Sequence, residues 1–239
     1  ADDTPGRPRD HDTVRRLAEL LDGRRAFLVG GFVRDLLLGR PSHDLDLSVE
    51  GSVADLAPLA SRVGTLLGAR PHLLGRPPRA VWRVESAGTT VELWPMGELD
   101  LGGDLGRRDF TCNAIAWELP DGPLIDPFGG AEDIATRRLR AVDRANLEAD
   151  PVRLLRGARF AAALEGFRIE DRTARWITEL APQLAPSPRE RVGRELLALL
   201  RAPRADLGLE AMNRLGLDLP AAPSGVVELR FPDRAPAAA

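Results

Sequence analysis

From Asp44 to Val49 polar and apolar residues alternate without a break (Asp-Leu-Asp-Leu-Ser-Val). This predicts a strand with one face on the core and sets Asp44 and Asp46 together on the opposite face. Upstream, Phe27–Val29 reads as a short buried strand, and Val33–Leu38 has apolar residues on more than one side, as a buried helix does. Between them, Gly30-Gly31 lets the backbone turn without a Cβ and approach a ligand closely. Gly39 is a natural stop for the helix, and the N–H groups at its start offer an anion site with Arg34 beside it.

The same patterning assigns the rest of the chain. Helical spacing runs over Val14–Asp22, with Asp12 or Thr13 as cap, and from Ser52 to about Leu67. Strands are predicted at Pro71–Leu74, Ala80–Glu85 and Thr89–Trp94, separated by Gly75–Pro78 and Ala87-Gly88. A hairpin of Ile115–Leu119 and Pro123–Asp126 turns at Asp121-Gly122, followed by a helix over Ala131–Arg137 and a strand over Leu139–Val142. The pattern then becomes helical: from Asp150, a suitable N-cap before Pro151, and over Asp171–Ala181, Pro188–Leu200 and Ala205–Leu215. In the first of these, Leu154, Leu155, Ala158, Ala161 and Ala162 share one face while Arg153, Arg156 and Arg159 fan across the other. The expected organisation is a flexible tail (1–12), an α+β head with a mixed sheet (13–145, its end near Arg144–Ala149), an all-helical neck and partial body (146–220), and a disordered Pro/Ala-rich tail (221–239).

Composition narrows the chemistry. All 33 basic residues are arginine, which excludes a Walker lysine and a Schiff base. The net charge of −3 gives no global argument for nucleic acid, yet Arg137–Phe160 holds seven arginines against three acids, a local patch for a nucleic-acid end or a triphosphate. No run is long enough to cross a bilayer and no leader pattern stands at the start, so no membrane partner and a cytoplasmic location are expected. The single Cys112 fits a reducing compartment. Nothing in the sequence sets an oligomeric state.

Asp44 and Asp46 matter most. Residues two apart on a strand lie about 6.6 Å apart along the chain. A pair of carboxylates so placed can hold one or two Mg²⁺ ions together with substrate phosphates. A phosphate-binding turn one helix away completes what in-line phosphoryl or nucleotidyl transfer needs.

Gly30-Gly31-x-x-Arg34-Asp35-x-Leu-Leu-Gly39-Arg40 followed by Asp44-x-Asp46 resembles motif A of class II tRNA nucleotidyltransferases, the CCA-adding enzymes, and of the related bacterial poly(A) polymerases. Arg107–Ala114 resembles their sugar-recognition motif, Leu124–Gly130 the segment after it, Asp150–Phe160 the base-reading motif, and Glu190–Leu196 the neck. The resemblance implies a polymerase-β-like nucleotidyltransferase head and attack of an RNA 3′-hydroxyl on the α-phosphate of CTP or ATP. In that reading Asp44 and Asp46 hold Mg²⁺, Gly30, Gly31 and Arg34 hold phosphates, Arg108 and Asn113 hold triphosphate and sugar, and Asp109 accepts from the ribose. Asp150 and Arg153 read the base edge, with Arg156 and Arg159 reaching its phosphates. Glu92 is either a third carboxylate or an outward-facing strand residue. The chain departs from the family at Gly97, where arginine is usual, and at Ala149, where glutamate is usual. The short Met96–Arg107 segment resembles that of enzymes adding only two cytidines. The alternatives are a poly(A)-type RNA-tailing enzyme and a catalytically weak RNA-binding module.

Overall fold

The computed structural model describes residues 8, 11–76, 80–86, 88–97 and 99–218. The expected tails, apart from Pro8 and Asp12 with the residue before it, and the Pro77-Pro78 turn lie outside the described residues.

In chain order the first half comprises α1 (Asp12–Glu19), β1 (Ala26–Val29), α2 (Gly31–Leu37), β2 (Asp44–Val49), α3 (Ala57–Leu67), β3 (His72–Leu74), β4 (Val81–Ser86), β5 (Thr89–Pro95), α4 (Leu101–Gly106), β6 (Ala116–Glu118), β7 (Leu124–Ile125), α5 (Gly130–Ala135) and β8 (Arg138–Leu139). Seven strands form one mixed sheet in the order β3-β4-β5-β2-β1-β6-β7, in which β2 and β5 are parallel and the other pairs antiparallel. The alternation in β2 holds: Leu45, Leu47 and Val49 are buried, Asp44 is exposed and Asp46 half-buried. Leu47 and Leu93 pair across β2 and β5, and α3 packs over this face with Leu59, Ala60 and Val63 buried. All four residues of β1 are buried, because the reverse face also has a cover, where Phe27, Val29, Leu105, Ala114 and Ala116 cluster.

The second half adds α6 (Arg144–Ala149), α7 (Val152–Ala163), β9 (Arg168–Ile169), α8 (Asp171–Leu180), α9 (Arg189–Leu200) and α10 (Ala205–Arg214). Here α7 is central, packed on α9 and α10, and β9 pairs in parallel with β8. One continuous apolar core runs from Val14 to Leu217 through both halves.

Several elements differ from the sequence reading. The helix expected from Ser52 begins at Ala57, because Pro58 lacks an N–H and is tolerated only in a first turn; Ser52 instead bonds Asp55. The short Met96–Arg107 segment contains a helix, α4, capped by Asp100, whose side chain accepts from the Gly103 N–H at 2.7 Å. Neither Asp12 nor Thr13 caps α1, since the helix already includes them. Arg144–Ala149, expected at the end of the head, is the helix α6 with Leu147 buried. Asp150 makes no side-chain cap for α7. The strand β9 carried no signal, being two residues long and dependent on its partner.

Candidate active site

The site lies on the sheet face opposite α3, where β1 ends. Gly30 adopts φ +72, and a Cβ placed there would stand 3.0 Å from Asp46 Oδ2 and 3.1 Å from Arg108 Nη1. Both facts require glycine: the backbone is left-handed, and an anion and a cation crowd the same point. Asp46 pairs with Val29 on one side and Glu92 on the other, and Glu92 in turn pairs with Arg83. Asp46, Glu92 and Arg83 therefore form a row across three strands, with Asp44 one pleat away opposite Thr90.

This row explains the electrostatics of Asp46. Burial first, then the Glu92 charge, push its carboxyl up to about 7; Arg108 opposes the rise and Asp44 adds to it. Glu92 faces Asp46, so the outward-facing alternative does not hold. Its Oε1 accepts from Arg83 Nε at 2.8 Å and from Arg83 Nη2, and its Oε2 accepts from Trp94 Nε1 at 3.1 Å. Crowded carboxylates of this kind suit a hard divalent cation, whose charge would remove their mutual repulsion. Among the described residues no three His, Cys, Asp or Glu side chains form a ready-made metal cage.

Arg108 is held from α4. The buried Asp104 takes Ser48 Oγ at 2.7 Å and Arg108 Nη2 at 3.1 Å on one oxygen, and Arg107 Nη2 at 2.7 Å on the other. Sequence reasoning missed Asp104. The available signal was its spacing, three and four residues before Arg107 and Arg108, which pairs side chains wherever the segment is helical.

Asp109 and Asn113 are also buried. Asp109 Oδ1 accepts from the Phe110 N–H at 2.8 Å and Asn113 Nδ2 at 3.0 Å, while Oδ2 takes Arg156 Nε at 2.5 Å. Burial alone would raise the Asp109 carboxyl, but Arg156 and these donors hold it well below the usual carboxylate range. Asn113 accepts from Arg34 Nη1 at 2.7 Å, and Arg34 also pairs with Asp35 and lies over the Phe160 ring. Burial pushes the thiol of neighbouring Cys112 up to about 12, so it is an inert filler.

The start of α7 adjoins this arm. Arg153 Nη1 donates to the Arg107 carbonyl at 2.8 Å, and Asn146 Nδ2 donates to the Gly106 and Arg108 carbonyls at 2.7 and 2.8 Å. Asp150 stands 3.7 Å from Arg153 and accepts from Arg191 Nη2 of α9 at 2.7 Å. Arg156 and Arg159, whose expected partners are phosphates, contact acidic and aromatic side chains of the protein: Arg156 lies on Asp109 and Glu195, Arg159 on Glu195 at 2.7 Å and over Phe160. The cause is α9, which brings Glu195 against the arginine side of α7. Arg191 and Glu195 lie in the Glu190–Leu196 block, but the sequence does not show their partners, which, like those of the Asn146 side chain, lie 36 or more residues away.

A mixed sheet that lines up acidic side chains beside a glycine turn at its strand ends is the head of a polymerase-β-like nucleotidyltransferase fold. Residues 26–68 and 79–140 match the family model "Poly A polymerase head domain", and residues 166–223 match "Probable RNA and SrmB- binding site of polymerase A". The chain belongs to the tRNA nucleotidyltransferase and poly(A) polymerase family. It is 39% identical over 184 residues to the CC-adding tRNA nucleotidyltransferase of Geobacter sulfurreducens, a match covering 77% of this chain and 42% of that protein. It is 43% identical over 204 residues to the A-adding tRNA nucleotidyltransferase of Deinococcus radiodurans, covering 82% and 45%. The Thermotoga maritima CCA-adding enzyme complexed with tRNA superposes with a TM-score of 0.75 at 29% identity, over 89% of this chain and 52% of that one. A CCA-adding enzyme with CTP superposes with 0.73 at 28% identity, over 86% and 52%. The chain thus spans about half the length of the relatives it matches.

Proposed function

We propose that this chain carries the catalytic centre of a template-independent nucleotidyltransferase that extends the 3′ end of tRNA with C, A or both, drawn from CTP and ATP. One observation carries the reading: Asp46 sits wedged between the Gly30 turn and Glu92, with Arg108 at the same turn. Asp44 and Asp46 would hold Mg²⁺, which when bound supplies charge neutralisation at the attacking and leaving oxygens. Glu92 is the third carboxylate, oriented by Arg83 and Trp94. Gly30, Gly31 and Arg108 receive the triphosphate, and Arg34, tied to Asn113, shapes the same wall. Asn113 and the remaining acceptor capacity of Asp109 serve the sugar.

Asp150 and Arg153 would read the base edge, presenting an acceptor to an exocyclic amino group and a donor to the ring nitrogen that C and A share. In this reading Arg156, Arg159 and Glu195 brace that pair rather than touch phosphate. Residues 13–145 then serve as the head and 146–220 as neck and partial body. The short α4 segment and the similarity to a CC-adding relative favour cytidine addition; the A-adding relative keeps adenosine in the reading.

The test is incorporation of each labelled nucleotide, with Mg²⁺, into tRNAs ending before C, after C and after CC. Extension by CTP on the first two substrates supports the proposal. Long ATP addition to any RNA would indicate a poly(A)-type tailing enzyme, and tRNA binding without extension by any nucleotide would overturn the enzymatic reading.

A further inference from the structure

Asp104 is buried at 3% exposure, yet none of the roles above requires it. Its carboxylate is fully engaged. Oδ2 accepts from Ser48 Oγ and from Arg108 Nη2, and Oδ1 accepts from Arg107 Nε at 3.2 Å and Nη2 at 2.7 Å. Ser48 stands two residues beyond Asp46 on the same face of β2, and its Oγ accepts in turn from Arg108 Nη2 at 3.3 Å.

The other arm of Arg108 has a competing partner. Nη1 of Arg108 and Oδ2 of Asp46 both lie within 3.1 Å of the point where a Gly30 Cβ would stand, which puts them about 6 Å apart at most. Opposite charges so close should close into an ion pair, especially in a half-buried site. The ion pair Arg108 makes is with Asp104 instead, at 3.1 Å. Its Nε is buried without a partner.

We propose that Asp104 is a positioning residue that withholds Arg108 from Asp46. By pinning Nη2 through the Ser48 bridge, it keeps the Asp46 oxygens open to a divalent cation and aims Nη1, the arm at the Gly30 turn, at the nucleotide phosphates. This rests on the reading of Asp46 as a metal-binding carboxylate and Arg108 as a phosphate ligand. It also explains why the segment before Arg107 is helical, since α4 is what delivers the restraint to the back of the site.

The experiment measures Mn²⁺ binding to the purified chain by electron paramagnetic resonance of the free ion, together with CTP binding. In Asp104→Asn the released Arg108 collapses onto Asp46, and Mn²⁺ affinity falls about tenfold, the scale of one charge-assisted hydrogen bond. The double variant Asp104→Asn/Arg108→Gln recovers wild-type Mn²⁺ affinity while CTP binding stays weak. A purely structural Asp104 would not give that recovery, because deleting Arg108 cannot repair a lost fold. If Asp104→Asn fails to fold by circular dichroism, Ser48→Ala replaces it, with a smaller fall that Arg108→Gln again reverses. Asp46→Asn separates the two claims. If it binds Mn²⁺ as wild type does, the metal reading itself fails. If it loses Mn²⁺ while the Asp104 and Ser48 variants keep wild-type affinity, or if Arg108→Gln restores nothing, the positioning role is overturned.

Discussion

Gly30 joins backbone strain to chemistry. At φ +72 and ψ −137, a region adopted almost only by glycine, an alanine costs about 1–3 kcal/mol, and its methyl group would also displace Asp46 Oδ2 or Arg108 Nη1. Gly30→Ala should therefore lower stability by about 1–3 kcal/mol in urea titration, yet reduce nucleotide incorporation at least a hundredfold, a scale set by ångström misplacement of reacting groups. A loss of activity no larger than the stability change explains would contradict that close approach. At this scale the sequence was informative where period 2 alone decides the face, as for Asp44 and Asp46. Glu92 needed its partner strand to settle which way it points. Asp104 is legible only through its i,i+3 and i,i+4 spacing to Arg107 and Arg108. Asn146, Arg191 and Glu195 act on residues 36 or more positions away, and a polar residue in isolation reads as solvated surface.

The informative element is α7. Its arginines resemble a solvated face in sequence, but α9 and the head close over them, turning Arg156 into the partner of a buried Asp109. Removing one member of such a pair strands the other, so Asp109→Asn should destabilise the protein by about 3 kcal/mol. The pH dependence has a definite sign. The Asp109 carboxyl is depressed in the folded protein and ordinary, about 3.9, when unfolded. Its stabilisation is therefore complete above about pH 4 and is lost as pH falls further toward the folded value. Acid titration followed by circular dichroism should show a shallower loss of stability below pH 4 in Asp109→Asn than in wild type; parallel curves would contradict the pairing. Long periodic helices and alternating strands were read with boundaries off by a few residues. Two of the differences have local causes, Pro58 delaying α3 and a helix too short for periodicity in α4, and one a distant cause, Arg191 drawing Asp150 away from its cap.

The two halves share one apolar core from Val14 to Leu217, and several of the polar ties between them lie at the site: Arg153 to the Arg107 carbonyl, Asn146 to Gly106 and Arg108, Arg156 to Asp109. A head and neck so joined should unfold in one transition despite having different secondary structure. Thermal melts followed by tryptophan fluorescence and far-ultraviolet circular dichroism should coincide, and two separated transitions would show that the neck is an independent unit. Among the described residues no helix is long and apolar enough to cross a membrane. The mixed sheet with helices was legible from the hydrophobic period; the two-residue β9 among the later helices, paired with β8, was not. The closure of α9 over α7 was not, since it depends on contacts between distant segments.

The central claim is that the carboxylates facing the Gly30 turn drive nucleotide addition. The direct test is single-turnover incorporation of labelled CTP and ATP into tRNA lacking its 3′ end, with Mg²⁺, by wild type and by Asp44→Asn and Asp46→Asn, each checked for an unchanged melting temperature. The account predicts extension by wild type and a loss of at least a thousandfold in either folded variant, the magnitude expected when charge stabilisation of the transferring phosphate is removed. Extension by a folded Asp46→Asn protein at close to the wild-type rate would contradict it.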